Sequence, residues 1–175
     1  MKTQRRPAPH RTSGRRSATD IAYRITDFPM HYFAAIQWYN QSNFARILRS
    51  SGLTVPAWRA LAALHHKDGQ TIGEVAQLAV VDRSSLGRLL DGMARSGLVE
   101  RTPLPDDRRA VLIRLSIKGR RLFEENVPRV LQHYDKLLKG ITPGEFEVLM
   151  RVVRRMKANA QMMADPLEVS AQSGP

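Results

Sequence analysis

The chain has 175 residues, no cysteine and a formal net charge of +12, which suits one domain with a real core and excludes a disulfide framework, a thiolate metal site and a cysteine redox switch. No apolar run approaches the roughly 18 residues a membrane span needs, and the N-terminus lacks the apolar core of a secretory signal, so a cytoplasmic protein with no membrane partner is expected. The basic surplus is focused, with six bases and no acid in residues 1–19 and ten bases against five acids in residues 79–121, a footprint that fits a polyanion site or, more blandly, a solvated basic face.

Residues 1–19 are rich in Arg, Pro, Ser and Thr and hold almost nothing apolar, so a disordered basic tail is expected. Residues 20–50 read as a mostly helical stretch with Ile21, Ile25, Phe28, Tyr32, Phe33, Ile36, Tyr39, Phe44, Ile47 and Leu48. Pro29 is expected to break or kink it. So many large apolar groups exceed one core face and suggest a partner surface.

The next helix is "SGLTVPAWRALAALHHKDG", with Thr54 as cap, Pro56 in the first turn and Gly69 closing it. Its apolar stripe is Trp58, Leu61, Ala62 and Leu64 or His65. In "TIGEVAQLAV", Thr71 and Glu74 have the spacing of a capping box, and a helix of about two turns is expected. A turn from Ala79 to Val81 leads to Asp82 as a cap and to "DRSSLGRLLDGMARSG". Leu86, Leu89, Leu90 and Met93 fall at the period of a helix buried on one side. The other side carries Arg83, Ser84, Gly87, Arg88 and Asp91.

Two short helices joined by a tight turn fit a helix-turn-helix, although an ordinary amphipathic pair has the same pattern. A small, polar, arginine-bearing outer face suits a major groove, where arginine pairs with the O6 and N7 edge of guanine. Gly87 and Gly92 each cost about 1 kcal/mol in a helix interior, which points to a reason other than stability.

After Gly97 the period changes. "LVERT" and "AVLIRLS" read as two strands of a hairpin, with Val111, Ile113 and Leu115 on one face. Between them, Pro103 and Pro105 of "PLPDDRR" are expected to block ladder pairing and let the tip project. A hairpin placed after a recognition helix is a wing, whose arginines would enter a minor groove while Asp107 holds Arg109 in place. Read blandly, that pair is a surface ion pair of well under about 1 kcal/mol. Two helices follow. Residues 116–140 carry Leu122, Phe123, Val127, Val130, Leu131, Tyr134, Leu137 and Leu138, with Pro128 expected as a kink and Gly140 as a stop. Residues 142–163 start with Thr142 as cap and Pro143 in first position, with Phe146, Leu149, Met150, Val153 and Met156 as the stripe. Residues 165–175 are expected to be loose.

Residues 53–164 resemble the multiple antibiotic resistance regulator (MarR) family of bacterial winged helix-turn-helix repressors. The resemblance rests on "DRSSLGRLLDGMARSGLVER" and on a wing in which Asp107, Arg109, Leu115, Ser116 and Gly119 stand where the family has Asp-x-Arg, then Leu-Thr and a glycine. Ser116 replaces the usual Thr and preserves the cap, and Gly87 and Gly92 replace larger side chains. The resemblance implies a mainly α fold with a small β-hairpin wing: a dimerisation region at 20–50, a DNA-binding lobe at 51–119 and C-terminal dimerisation helices at 120–164. It further implies a homodimer on double-stranded DNA, with recognition helices roughly 34 Å apart on a palindrome. Carried over by position, Ser84, Ser85 and Arg88 meet base edges with Arg83 and Gly87 alongside, Asp107, Arg108 and Arg109 serve the wing, and Thr71 meets a phosphate.

Members of that family are often released from DNA by small aromatic or anionic molecules. His31, Tyr32, Trp38, Trp58 and His65 lie on helices that would line such a cleft, suited to a phenolic acid or its coenzyme A thioester, although each ring also fits core packing. No cofactor or metal is expected, because adjacent His65 and His66 project about 100° apart on a helix. No zinc-protease pattern, phosphate loop or nucleophile elbow appears, so an enzyme is not expected. A nonspecific architectural DNA-binding protein is the competing reading, favoured by the arginine-rich tail.

Overall fold

The structure, a computed structural model, describes residues 23–103 and 111–163. The expectations for residues 1–19, for the wing tip with Asp107, Arg108 and Arg109, and for residues 165–175 lie outside the described residues. A short 3-10 turn, Ile25–Asp27, precedes α1 (Pro29–Arg49), α2 (Val55–His66), β1 (Gln70–Thr71), α3 (Ile72–Ala79) and α4 (Arg83–Arg95). Then come β2 (Val99–Pro103), β3 (Val111–Leu115), α5 (Ile117–Leu137) and α6 (Pro143–Met163).

The chain divides into two compact units, residues 1–39 and 40–175. Among the described residues of the first, the rings of Tyr23 and Phe28 stack at 4.9 Å, and His31 meets Tyr32 edge-on at 5.3 Å. As expected, the helical stretch is interrupted at Pro29: the 3-10 turn ends at Asp27, and Phe28 is extended. Pro29 is the first residue of α1, where its missing N–H would have had no helical partner and its fixed φ suits the first turn.

In the second unit the core gathers Phe44 and Leu48 from α1, Leu61 and Leu64 from α2, Val75 from α3, Leu86 and Leu90 from α4, Ile113 from β3 and Phe123 from α5. Full burial of each of these leucines contributes about 1.5–3 kcal/mol. The covered part of α2 differs from the expected stripe. Ala57, Ala60 and Ala63 are buried, Ala62 is half-buried and His65 is exposed. Helix α5 runs through Pro128 as one element.

The hairpin is part of a three-stranded antiparallel sheet in the order β1-β3-β2. The two-residue strand β1 was not expected; it pairs Gln70 with Ile113 and Thr71 with Leu112. Pro103 was expected to block pairing, yet it ends β2 in register with Val111. Strand β2 lies at the edge of the sheet, a position that tolerates a residue unable to donate. Gln70, 3% exposed, donates from its side-chain amide to the Ala63 carbonyl at 2.8 Å and to the Lys67 carbonyl, satisfying the end of α2.

Candidate nucleic-acid interface

Helix α3 starts at a complete capping box. Thr71 Oγ1 accepts from the Glu74 amide at 3.3 Å, and Glu74 Oε2 accepts from the Thr71 amide at 2.8 Å. The Thr71 backbone amide, followed by Lys67, holds the Glu74 carboxyl below the usual carboxylate range. The Thr71 hydroxyl also donates to Glu74 at 2.9 Å, so at this helix start the Glu74 carboxylate already stands on the groups expected to meet a phosphate.

After Ala79 the chain turns through Val80, whose φ of 54° lies in the left-handed region and redirects the backbone within one residue. Asp82 then caps α4. Its carboxylate accepts from the Ser85 amide at 2.7 Å, the Ser84 amide at 3.2 Å and the Ser84 hydroxyl at 3.1 Å. Hydrogen bonds from the Ser85 side chain and amide, with smaller ones from Ser84, hold the Asp82 carboxyl down to about 2.

Helix α4 buries Leu86, Leu90 and Met93. Ser84, Ser85 and Arg88 are exposed, while Arg83 and Gly87 are half-buried. The five residues expected to face DNA are therefore brought together on the first two turns of one helix. A Cβ at Gly87 would have no heavy atom within 4 Å, so packing inside the chain does not require glycine there.

Strand β2 is tied to this helix by Arg101. Its guanidinium meets Asp91 of α4 at 2.7 Å and donates to the Gly87 carbonyl at 3.4 Å. Sequence reasoning counted Arg101 only as charge; the pairing spans the α4–β2 corner and has no periodic signature. Behind the wing, Ser116 Oγ donates to the Gly97 carbonyl at 2.7 Å and accepts from the Gly119 amide at 2.9 Å. Lys118 donates to the Ser96 carbonyl at 2.8 Å. At Gly119 a Cβ would lie 2.0 Å from the Leu98 carbonyl oxygen, so only glycine lets α5 begin against the start of the wing. Asp68 braces the far edge, accepting from the Leu115 amide at 2.9 Å and pairing with Arg114 at 3.6 Å.

Of the expected effector residues, His31, Tyr32 and Trp38 belong to the unit at residues 1–39. Trp58 and His65 meet on one ring of α5: Trp58 stacks on Phe123 at 4.6 Å, and His65 lies 4.5 Å from it. Trp58 is buried and His65 exposed. Among the described residues no cluster of His, Cys, Asp or Glu could hold a metal ion, and no helix is long and apolar enough to cross a membrane.

The sequence pattern of the MarR family matches residues 51–110, a span that includes α2, α3, α4 and β2. The chain is 26% identical over 141 residues to the HTH-type transcriptional repressor IacR of Pseudomonas putida, covering 81% of this chain and 84% of that protein. It is 30% identical over 120 residues to the transcriptional activatory protein BadR of Rhodopseudomonas palustris, covering 64% and 69%. A MarR-family transcriptional regulator from Silicibacter pomeroyi, known from its crystal structure, superposes with a TM-score of 0.71 at 30% identity, covering 77% of this chain and 91% of that one. The chain belongs to the MarR family. The helix-turn-helix reading of α3 and α4 and the wing reading of β2 and β3 both stand with this MarR-family fold.

Proposed function

We propose that this MarR-family chain is a sequence-specific DNA-binding regulator: a homodimer that represses from a palindromic operator and is released by a small aromatic or anionic effector. One observation carries the reading: the outer face of α4 presents Ser84, Ser85 and Arg88 beside a Gly87 whose missing side chain leaves open space. A short polar face of this kind lets the helix axis approach base edges while Arg88 reaches a guanine. Arg83 and Gly87 stand alongside, and the wing arginines Arg108 and Arg109, the latter held by Asp107, would enter the neighbouring minor groove. The phosphate role assigned to Thr71 fits less well, because its hydroxyl and amide already serve Glu74.

Dimerisation is supported by α6, in which no residue is buried although Phe146, Val148, Leu149 and Val152 are large and apolar. Such a helix is stable when a second copy covers it. The dimer regions are residues 20–50 and 120–164, flanking the DNA lobe at 51–119. For the effector, Trp58, Phe123 and His65 form one ring cluster of which His65 is the exposed, polar edge, while His31, Tyr32 and Trp38 stay candidates within the unit at residues 1–39. A phenolic acid or its coenzyme A thioester is expected to raise the melting temperature and weaken operator binding, and a screen in which neither occurs removes this part.

Selection of bound sequences from a random duplex pool at physiological salt tests the whole reading. A palindrome with half-sites about one turn apart supports it. Enrichment without a motif supports instead a nonspecific architectural protein acting through its basic tail.

A further inference from the structure

The chemistry of the α4 cap limits what Ser84 can say to a base. Asp82 is a carboxylate and can only accept hydrogen bonds, at about four lone-pair sites. Three donors converge on it: the Ser84 and Ser85 amides and the Ser84 hydroxyl, at 3.1 and 3.2 Å to its two oxygens. The hydroxyl has one proton, and facing an acceptor-only partner it is spent on the cap. What remains on the outer, exposed side of the Ser84 oxygen is lone pairs alone. A free serine could give or take a hydrogen bond and so tolerate any base edge; Ser84 cannot.

We infer that Asp82 makes Ser84 an acceptor-only reader, so that it recognises the exocyclic amino group of adenine or cytosine in the major groove and rejects the carbonyl edges of thymine and guanine. The inference rests on the proposal that the outer face of α4 enters the major groove. Adenine N6 and cytosine N4 are the donors displayed there, whereas thymine O4 and guanine O6 are acceptors. Phosphate oxygens are acceptors too, so the same polarity turns Ser84 away from the backbone and towards base amino groups. Asp82 is thus a positioning residue: it touches no base and sets the direction of the hydrogen bond made by the residue that does.

The polarity can be inverted by one atom. In Asp82→Asn one carboxylate oxygen becomes an amide NH2, which still leaves an oxygen to cap the helix, and asparagine is as good a cap as aspartate. The amide donates to the Ser84 oxygen and removes one of the two acceptors that held its proton, so the hydroxyl is freer to donate outward.

The experiment compares the full-length wild type, Ser84→Ala and Asp82→Asn on the selected operator carrying single-base analogues. Purine in place of adenine, or pyrimidin-2-one in place of cytosine, deletes the amino group; 2-aminopurine in place of guanine deletes O6. At one half-site position, amino deletion is expected to weaken wild-type binding about three- to tenfold, the range of a single hydrogen bond, beyond its effect on Ser84→Ala. Comparing each analogue across the proteins cancels its effect on duplex stability. In Asp82→Asn the Ser84-dependent sensitivity is expected to move from amino deletion to carbonyl deletion. Wild-type sensitivity through Ser84 to carbonyl deletion, or no Ser84-dependent difference at any position, overturns the inference. Failure of the underlying reading is distinguishable, because then the wild type selects no motif and no operator exists to modify.

Discussion

Helices α4 and α6 are both amphipathic, yet they ask different questions. In α4 the apolar stripe of Leu86, Leu90 and Met93 is covered by the chain's own core, so the opposite face is what lacks an internal explanation. In α6, 21 residues long, no residue is buried, so the apolar stripe is what lacks one. A satisfied stripe directs attention to the polar face and a ligand for it. An unsatisfied stripe directs attention to another copy of the chain.

The sharpest way to break this contrast is to remove a leucine from each helix. Leu90→Ala empties a fully buried site and is expected to destabilise the fold by about 2–5 kcal/mol in urea unfolding. Leu149→Glu, at a position 39% exposed, is expected to convert the proposed dimer to monomer in analytical ultracentrifugation. A dimer that survives Leu149→Glu, or a Leu90→Ala protein as stable as wild type, removes the distinction between the helices.

Gly87→Ala sharpens it further. With open space at that position, alanine is expected to stabilise the free protein by up to about 1 kcal/mol through helix propensity, while operator affinity falls because a methyl group enters the DNA-facing surface. Greater stability together with tighter binding would contradict the assignment of this face.

The smallest effect is a pH dependence. The folded Asp82 carboxyl sits at about 2, below its ordinary 3.8, so its cap contributes stability above the ordinary value that is lost as pH falls through about 2. The stability difference between wild type and Asp82→Ala is therefore expected to shrink between pH 4 and pH 2. A difference that stays constant across that range would place the effect of the substitution outside the charge of the cap.

What could be read from the sequence were features set by neighbours in the chain. Caps at Thr54, Thr71, Asp82 and Thr142, and the stripe of α4, depend on residues three or four apart, the cap at Ser116 came with the family resemblance, and all five cap hydrogen bonds form. The missed features join distant residues. Strand β1 exists because Gln70 and Thr71 meet Ile113 and Leu112. Trp58 and His65 share a ring supplied by Phe123, and Gly119, named through the family resemblance, has its reason in the distant carbonyl of Leu98. At the candidate site the contributing side chains of α4 were legible because one helix presents them. Arg101, which ties β2 to Asp91 and Gly87, was not, because the tie depends on how a strand leaves a helix.

The most direct test of the account is the ratio of binding to the selected operator over binding to scrambled duplex at physiological salt, for wild type, Arg88→Ala and Arg109→Ala. The account predicts a wild-type ratio of about 10³ or more. Arg88→Ala should lower that ratio by relaxing sequence preference, and Arg109→Ala should weaken binding with less loss of preference. Both variants binding operator and scrambled duplex as wild type does would contradict the placement of α4 in the major groove.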